Sequence, residues 1–290
     1  MKKTYIYAFL SIFFWSTVSV VAKLLLGARN NFQVLWISSL FAAVFLLAIN
    51  LATGNIKKMK AYKIKDYIIS VLIGIPGGFF YYVFFYAGTK KMLASQAFIV
   101  NYLWPIMSVV MACIILKEKL TLCKIIAIAL SFCGVVIIMG GELLHFNANT
   151  AAGALLCILG AICYGTFTAL NQKFRYDKPI SLMINYFVTF ALTSIINAAS
   201  GNLFIPTVPE ALGFAYNGIF TVAIANTLWV MALESGKTAK ISNLAYITPF
   251  VSLIWTSLIL KEPLHINFVI GLCVIVVGIF VQLKDKREKA

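Results

Sequence analysis

The 290-residue chain is 62% hydrophobic and 11% charged, with a mean hydropathy of +0.95, whereas soluble domains are about 25% charged and at most about half apolar. That composition excludes a soluble globular protein and defines an integral membrane protein. A net charge of +15 invites a nucleic-acid reading, which the placement of the charges removes.

Ten apolar runs follow one another at roughly 4–26, 32–52, 66–88, 92–115, 122–141, 151–171, 180–200, 210–232, 238–260 and 266–283, each near the 20 or so residues that a spanning helix needs. All nine acidic residues fall between these runs or at their edges. The first run, beginning "MKKTYIYAFL", is read as a span and not a cleaved leader, being too long and lacking a small-residue cleavage site. The loops are short. With no soluble domain and no glycine-rich nucleotide loop, any driving force has to be a gradient of solute or ion.

If the N-terminus is cytoplasmic, 19 of the 24 basic residues lie on the inner side and only Lys23, Arg29, Lys90, Lys91 and Lys261 on the outer. The positive-inside rule therefore expects a multi-pass protein of the cell membrane with both termini cytoplasmic. The basicity is then a lipid-facing surface and no nucleic-acid partner is expected. Six cysteines without a C-x-x-C read as small core residues, and His145 and His265 as isolated loop histidines. With no Ser/His/Asp set, no paired intramembrane carboxylates and no H-E-x-x-H, neither an enzyme nor a metal or other cofactor is expected.

The chain repeats itself. At a fixed offset of 144, Tyr102, Pro105, Ser108, Leu116-Lys117-Glu118, Leu120 and Gly134 fall on Tyr246, Pro249, Ser252, Leu260-Lys261-Glu262, Leu264 and Gly278. At 149, Trp15-Ser16-Thr17 falls on Tyr164-Gly165-Thr166. Two five-helix units, 1–146 and 147–290, follow from this, and an odd number of spans per unit inverts the second in the membrane. The expected fold is thus all-α: ten transmembrane helices in two inverted five-helix repeats around a central cavity.

The duplication, together with "FFWST" in span one, "NYLWP" in span four, and "LKEKL" and "LKEPL" closing spans four and nine, resembles the EamA type of the drug/metabolite transporter superfamily over essentially the whole chain. "WST" and "VNYLWP" are most similar to its bacterial aromatic amino-acid exporter branch. The resemblance implies a basket of ten helices, a central cavity, and efflux of amino acids or other small metabolites.

The residues themselves carry a parallel reading. Pro105 and Pro249 each remove a backbone donor, freeing the carbonyls of Asn101 and Ala245, either as plain kinks or as flexing points of two gates. Asn101 with Tyr102 in span four, and Asn243 with Tyr246 in span nine, share faces with those prolines. Asn226 joins them as a candidate contact. Ser and Thr on the same stripes read more simply as interhelical hydrogen bonding. Trp15, Tyr82, Trp104, Tyr164 and Trp229 belong to polar-striped spans, as cavity lining able to stack on a ring or hold a cation, or as interface anchors. Gly74-x-x-x-Gly78 reads as close packing. Lys23, a turn inside span one, either snorkels or contacts a substrate carboxylate in an outer vestibule.

The sequence expects a secondary transporter working by alternating access, exporting aromatic or other neutral amino acids and related small metabolites. Its partners would be that solute and the lipid bilayer, with self-association left open. Transport of cationic amines or drugs is the alternative, weakened by the lack of an intramembrane carboxylate. A membrane enzyme or lipid-handling protein stands lower still.

Overall fold

The computed structural model describes residues 2–144, 147–174, 176–233 and 244–283. These residues form helices and no strands. Lipid offers no partners to backbone N–H and C=O groups, so a chain this apolar satisfies them within helices. Eight helices are long and apolar enough to cross a membrane: α1 (Lys3–Ala28), α2 (Asn31–Ala52), α3 (Ile64–Lys91), α4 (Ala94–Ile115), α5 (Leu122–Met139), α6 (Ala148–Phe174), α7 (Lys178–Ala199) and α8 (Val208–Ala232). Two shorter apolar helices follow, α9 (Ala245–Leu260) and α10 (Ile266–Val281).

Local chemistry sets the boundaries. Asn30 and Gln33 form a reciprocal cap at the start of α2, with Gln33 N donating to Asn30 Oδ1 at 2.9 Å and Asn30 N to Gln33 Oε1 at 3.1 Å. Asp177 accepts from Ile180 N to open α7, with Pro179 in its first turn. Lys117 ends α4 with φ 59° and Lys261 ends α9 with φ 57°; no other non-glycine among the described residues has a positive φ. They occupy the same place in the 144-residue shift.

Five of the helices are irregular. α1 breaks at Thr17, whose hydroxyl donates to the Phe14 carbonyl. α4 breaks at Tyr102–Leu103, and α9 opens with a single 3₁₀ turn over Ala245–Ile247. α3 and α8 contain π-helical stretches at Ile75–Phe80 and Tyr216–Ile224. Such widened turns are uncommon and cluster where backbone is re-aimed.

The prolines directly follow the breaks: Pro105 occupies the first turn of the segment Trp104–Ile115, and Pro249 that of Thr248–Leu260. There φ is pre-set by the ring, so proline helps to restart the helix after the break.

The helices pack in matched pairs. α5 lies against α10 and α2 against α7; α6 touches α3 and α4 while α1 touches α8 and α9; α2 meets α8 as α7 meets α3. One large apolar cluster, including Leu35, Phe85, Ile99, Leu103, Ile106, Leu272 and Ile275, fills the interior. Outward faces such as Leu122, Ile125 and Val136 on α5, and Ile266, Ile270 and Val277 on α10, stay exposed, as lipid-facing surface should. The cysteines depart from the core reading in part: Cys157 is buried, but Cys133 and Cys273 are exposed on these outer faces.

Candidate functional site

A cavity lies among the interior helices, with about 160 Å³ of open space for water-sized groups. Ten of its twenty lining residues are aromatic, which makes it a box of π faces with a few polar points. Tyr81 packs on Tyr164 with ring centres 4.9 Å apart, Trp104 on Tyr164 at 5.0 Å, and Trp15 on Trp229 at 5.1 Å. All three pairs are tilted or edge-on, the geometry that ring quadrupoles favour.

No charged side chain lines it among the described residues; the polar lining comes from Asn101, Asn185, Asn226, Thr221, Thr248 and tyrosine hydroxyls. Asn101 Nδ2 donates to Tyr81 OH at 2.9 Å, and Tyr186 OH donates to Tyr82 OH at 3.2 Å. Asn226 Nδ2 turns back to the Val222 carbonyl at 2.7 Å. Such a wall suits a solute with an apolar ring and no net charge, whose polar groups meet amides and phenols.

The irregular backbone explains why these residues meet. The break in α4 delivers Asn101, Tyr102 and Trp104 to the wall; the start of α9 delivers Ala245 and Thr248. The π-helical stretches contribute Gly77 and Gly78 from α3 and Thr221 from α8. A Cβ on Gly77 would lie 2.3 Å from the Phe167 ring, so glycine is what lets α3 approach α6 there.

The cavity occupies one half of the bundle. Leu182, Asn185 and Tyr186 are early in α7, just after Lys178, while Asn226 and Trp229 are late in α8; both places belong to the lysine-rich end. The other half is closed by hydrogen bonds. Asn217 Nδ2 donates to Ser38 Oγ at 3.0 Å and to Tyr86 OH at 2.8 Å. Ser19 and Ser252 share a 2.7 Å bond. Glu262, only 8% exposed, accepts from Ala94 N, Ser95 N and Ser95 Oγ at 2.7, 2.9 and 2.7 Å, a charge-assisted cap on α4.

Of the residues singled out from sequence, Trp15, Tyr82, Asn101, Tyr102, Trp104, Tyr164, Asn226 and Trp229 line the cavity. Tyr246 does not; its ring packs edge-on against Phe280 at 5.6 Å. Asn243 lies outside the described residues, as does His145. Lys23 does not line this cavity. Its Nζ donates to the Thr89 carbonyl at 2.7 Å and the Met92 carbonyl at 2.6 Å, closing the end of α3. Pro105 and Pro249 do not line the cavity, and the Ala245 carbonyl that Pro249 frees accepts from the Tyr102 hydroxyl. Tyr81, Phe98, Phe167, Asn185, Tyr186, Thr221 and Thr248 were not anticipated. For Asn185 the signal existed, an amide inside an apolar run, the same sign that marked Asn101.

With this geometry in place, the chain's relatives become informative. A profile of the EamA-like transporter family matches residues 2–140 and again 151–283. The chain belongs to the EamA-like transporter family. An uncharacterised transporter of Clostridium kluyveri is 26% identical over 303 residues, spanning 99% of this chain and 95% of that one. The aromatic amino acid exporter YddG of Salmonella typhimurium is 25% identical over 211 residues, spanning 67% of this chain and 68% of that protein. One solved crystal structure covers 98% of this chain and 99% of its own with a TM-score of 0.71 at 21% identity, a likeness of fold.

Proposed function

We propose that this protein is a secondary transporter that carries aromatic or other neutral amino acids and related small metabolites out of the cell by alternating access. The observation that carries the reading is the uncharged, aromatic-walled cavity set where two helices break. Substrate contacts fall to Trp15, Tyr82, Asn101, Tyr102, Tyr164 and Asn226, with Tyr246 and Asn243 serving when the opposite side opens. Pro105 and Pro249 mark the flexing points. The similarity to a named aromatic amino acid exporter supports the solute class.

The architecture that goes with it is ten spans in two inverted five-helix repeats, 1–146 and 147–290, in the cell membrane with both termini cytoplasmic. Two matches to one family profile support the duplication. So do the paired helix contacts and the paired left-handed lysines. Inverted halves can exchange conformations about one site, which is how such transporters alternate.

A second reading, cationic amines held by cation–π contact, is favoured by the number of rings and opposed by the absence of any carboxylate in the described lining. Counterflow in proteoliposomes preloaded with unlabelled solute separates the two. Labelled phenylalanine or tryptophan should accumulate and choline should not; accumulation of choline alone would replace the first reading with the second.

A further inference from the structure

The 144-residue shift pairs Tyr102 with Tyr246 and Ala245 with Asn101. It therefore relates two contacts to each other: the Tyr102 hydroxyl on the Ala245 carbonyl, and the Tyr246 hydroxyl on the Asn101 carbonyl. The structure holds the first and not the second. Tyr102 OH donates to Ala245 O, whereas the Tyr246 ring rests on Phe280 and no hydrogen bond reaches the Asn101 carbonyl among the described residues. Both carbonyls have lost a helical donor to a proline four residues on, so each is a ready acceptor.

The imbalance recurs at the acidic residues that close the two helices. Glu262 reaches across to cap the start of α4 at Ala94 N and Ser95 N. Its counterpart Glu118 instead pairs with Lys124 at 3.0 Å and is 35% exposed. In both cases the contact between the second half and α4 is made on the side opposite the cavity, or at its wall, and the counterpart is differently occupied.

We propose that the two tyrosines form an exchange latch, in which Tyr102 on the Ala245 carbonyl holds the conformation open at the lysine-rich end, and Tyr246 on the Asn101 carbonyl holds the opposite one. The proposal rests on the inverted-repeat reading of the fold. Two-fold pseudosymmetry makes the two bonds equivalent in kind but not simultaneous, since halves that alternate cannot both be in the same conformation. Removing one hydroxyl biases the equilibrium towards the state held by the other.

The test reads conformation and needs no substrate, so its failure leaves the transport reading standing. In a full-length background without native cysteines, Leu182→Cys places a thiol on the cavity wall near the lysine-rich end. Its labelling rate by a soluble maleimide is followed in detergent. Tyr102→Phe should slow labelling, by a shift of about fivefold in the ratio of the two states, the factor that one net hydrogen bond supplies. Tyr246→Phe should leave the rate equal or raise it, and the double variant should fall between. A melting curve on each variant confirms that it is folded. Equal slowing by both single variants, or no effect of Tyr102→Phe in a folded protein, overturns the latch.

Discussion

Gly134 on α5 and Gly271 on α10 face each other so closely that a Cβ on either would lie 2.6 Å from the carbonyl oxygen of the other. A second crossing lies between the same helices: a Cβ on Gly278 would lie 2.8 Å from the Ala127 carbonyl. Under the 144-residue shift Gly134 becomes Gly278 and Ala127 becomes Gly271, so the two crossings are one contact used twice. Close backbone approach of this kind is how helices associate in lipid, where no hydrophobic drive brings them together.

Gly134→Ala and Gly278→Ala should each destabilise the protein by about 1–3 kcal/mol, because the clash is with backbone that cannot rotate away. Gly27 has nothing within 4 Å of its missing Cβ, so Gly27→Ala should be neutral or slightly stabilising in its helix. Melting temperatures in detergent decide it; a Gly134→Ala protein as stable as Gly27→Ala would show that α5 and α10 part without cost.

Hydropathy located the helices well because lipid imposes it directly: the run 32–52 is the helix Asn31–Ala52, and the run 180–200 is Lys178–Ala199. What it could not show is the state of the backbone inside a run. The breaks at Thr17 and Tyr102, and the widened turns at Ile75–Phe80 and Tyr216–Ile224, carry no change in apolarity. Pro76, Pro105 and Pro249 are the sequence marks nearest to them, and the last two stand in the turns where helices restart. Trp15 and Asn101 could be found because an amphipathic residue in a polar stripe has few other uses. Trp36 and Trp255 show the limit of that logic, since their indoles are satisfied by Ser194 and Ser16 in helix packing. For Lys23, sequence gives depth but not the neighbouring Thr89 and Met92 carbonyls that hold it.

Topology can be checked with surface positions at the two ends. A cysteine at Lys90 should react with an impermeant thiol reagent applied to intact cells, and one at Lys60 should react only after the membrane is opened; both sites are exposed. The prediction follows from the lysine distribution. Labelling of both from one side would contradict the crossing of α3, on which the ten-span arrangement depends.

The two prolines should respond unequally. Pro249→Ala supplies an N–H to a carbonyl that already has the Tyr102 hydroxyl and Thr248 N–H as partners, so little stability is gained. Pro105→Ala supplies one to the Asn101 carbonyl, which has none among the described residues, and should raise stability by about 0.5–1.5 kcal/mol. Both should slow transport by stiffening a break, while solute binding, measured by tryptophan fluorescence, changes less. Variants that transport normally but melt earlier would reduce the prolines to packing elements.

The last prediction concerns what drives the solute. Glu262 is the carboxylate buried beside the interior helices, yet it lines no part of the cavity and its oxygens are taken by two fixed amides and one hydroxyl. A carboxylate held so serves as the cap of α4. Glu262→Ala leaves two amides of the α4 start unpaired and should cost about 1–3 kcal/mol, with Glu262→Gln costing less because one acceptor oxygen survives. Neither should abolish solute binding. In sealed liposomes a pH gradient alone should drive no accumulation, leaving facilitated diffusion or exchange as the mode. Uphill flux under a pH gradient that vanishes in a folded, solute-binding Glu262→Gln protein would reverse this assignment and make the cap the coupling group.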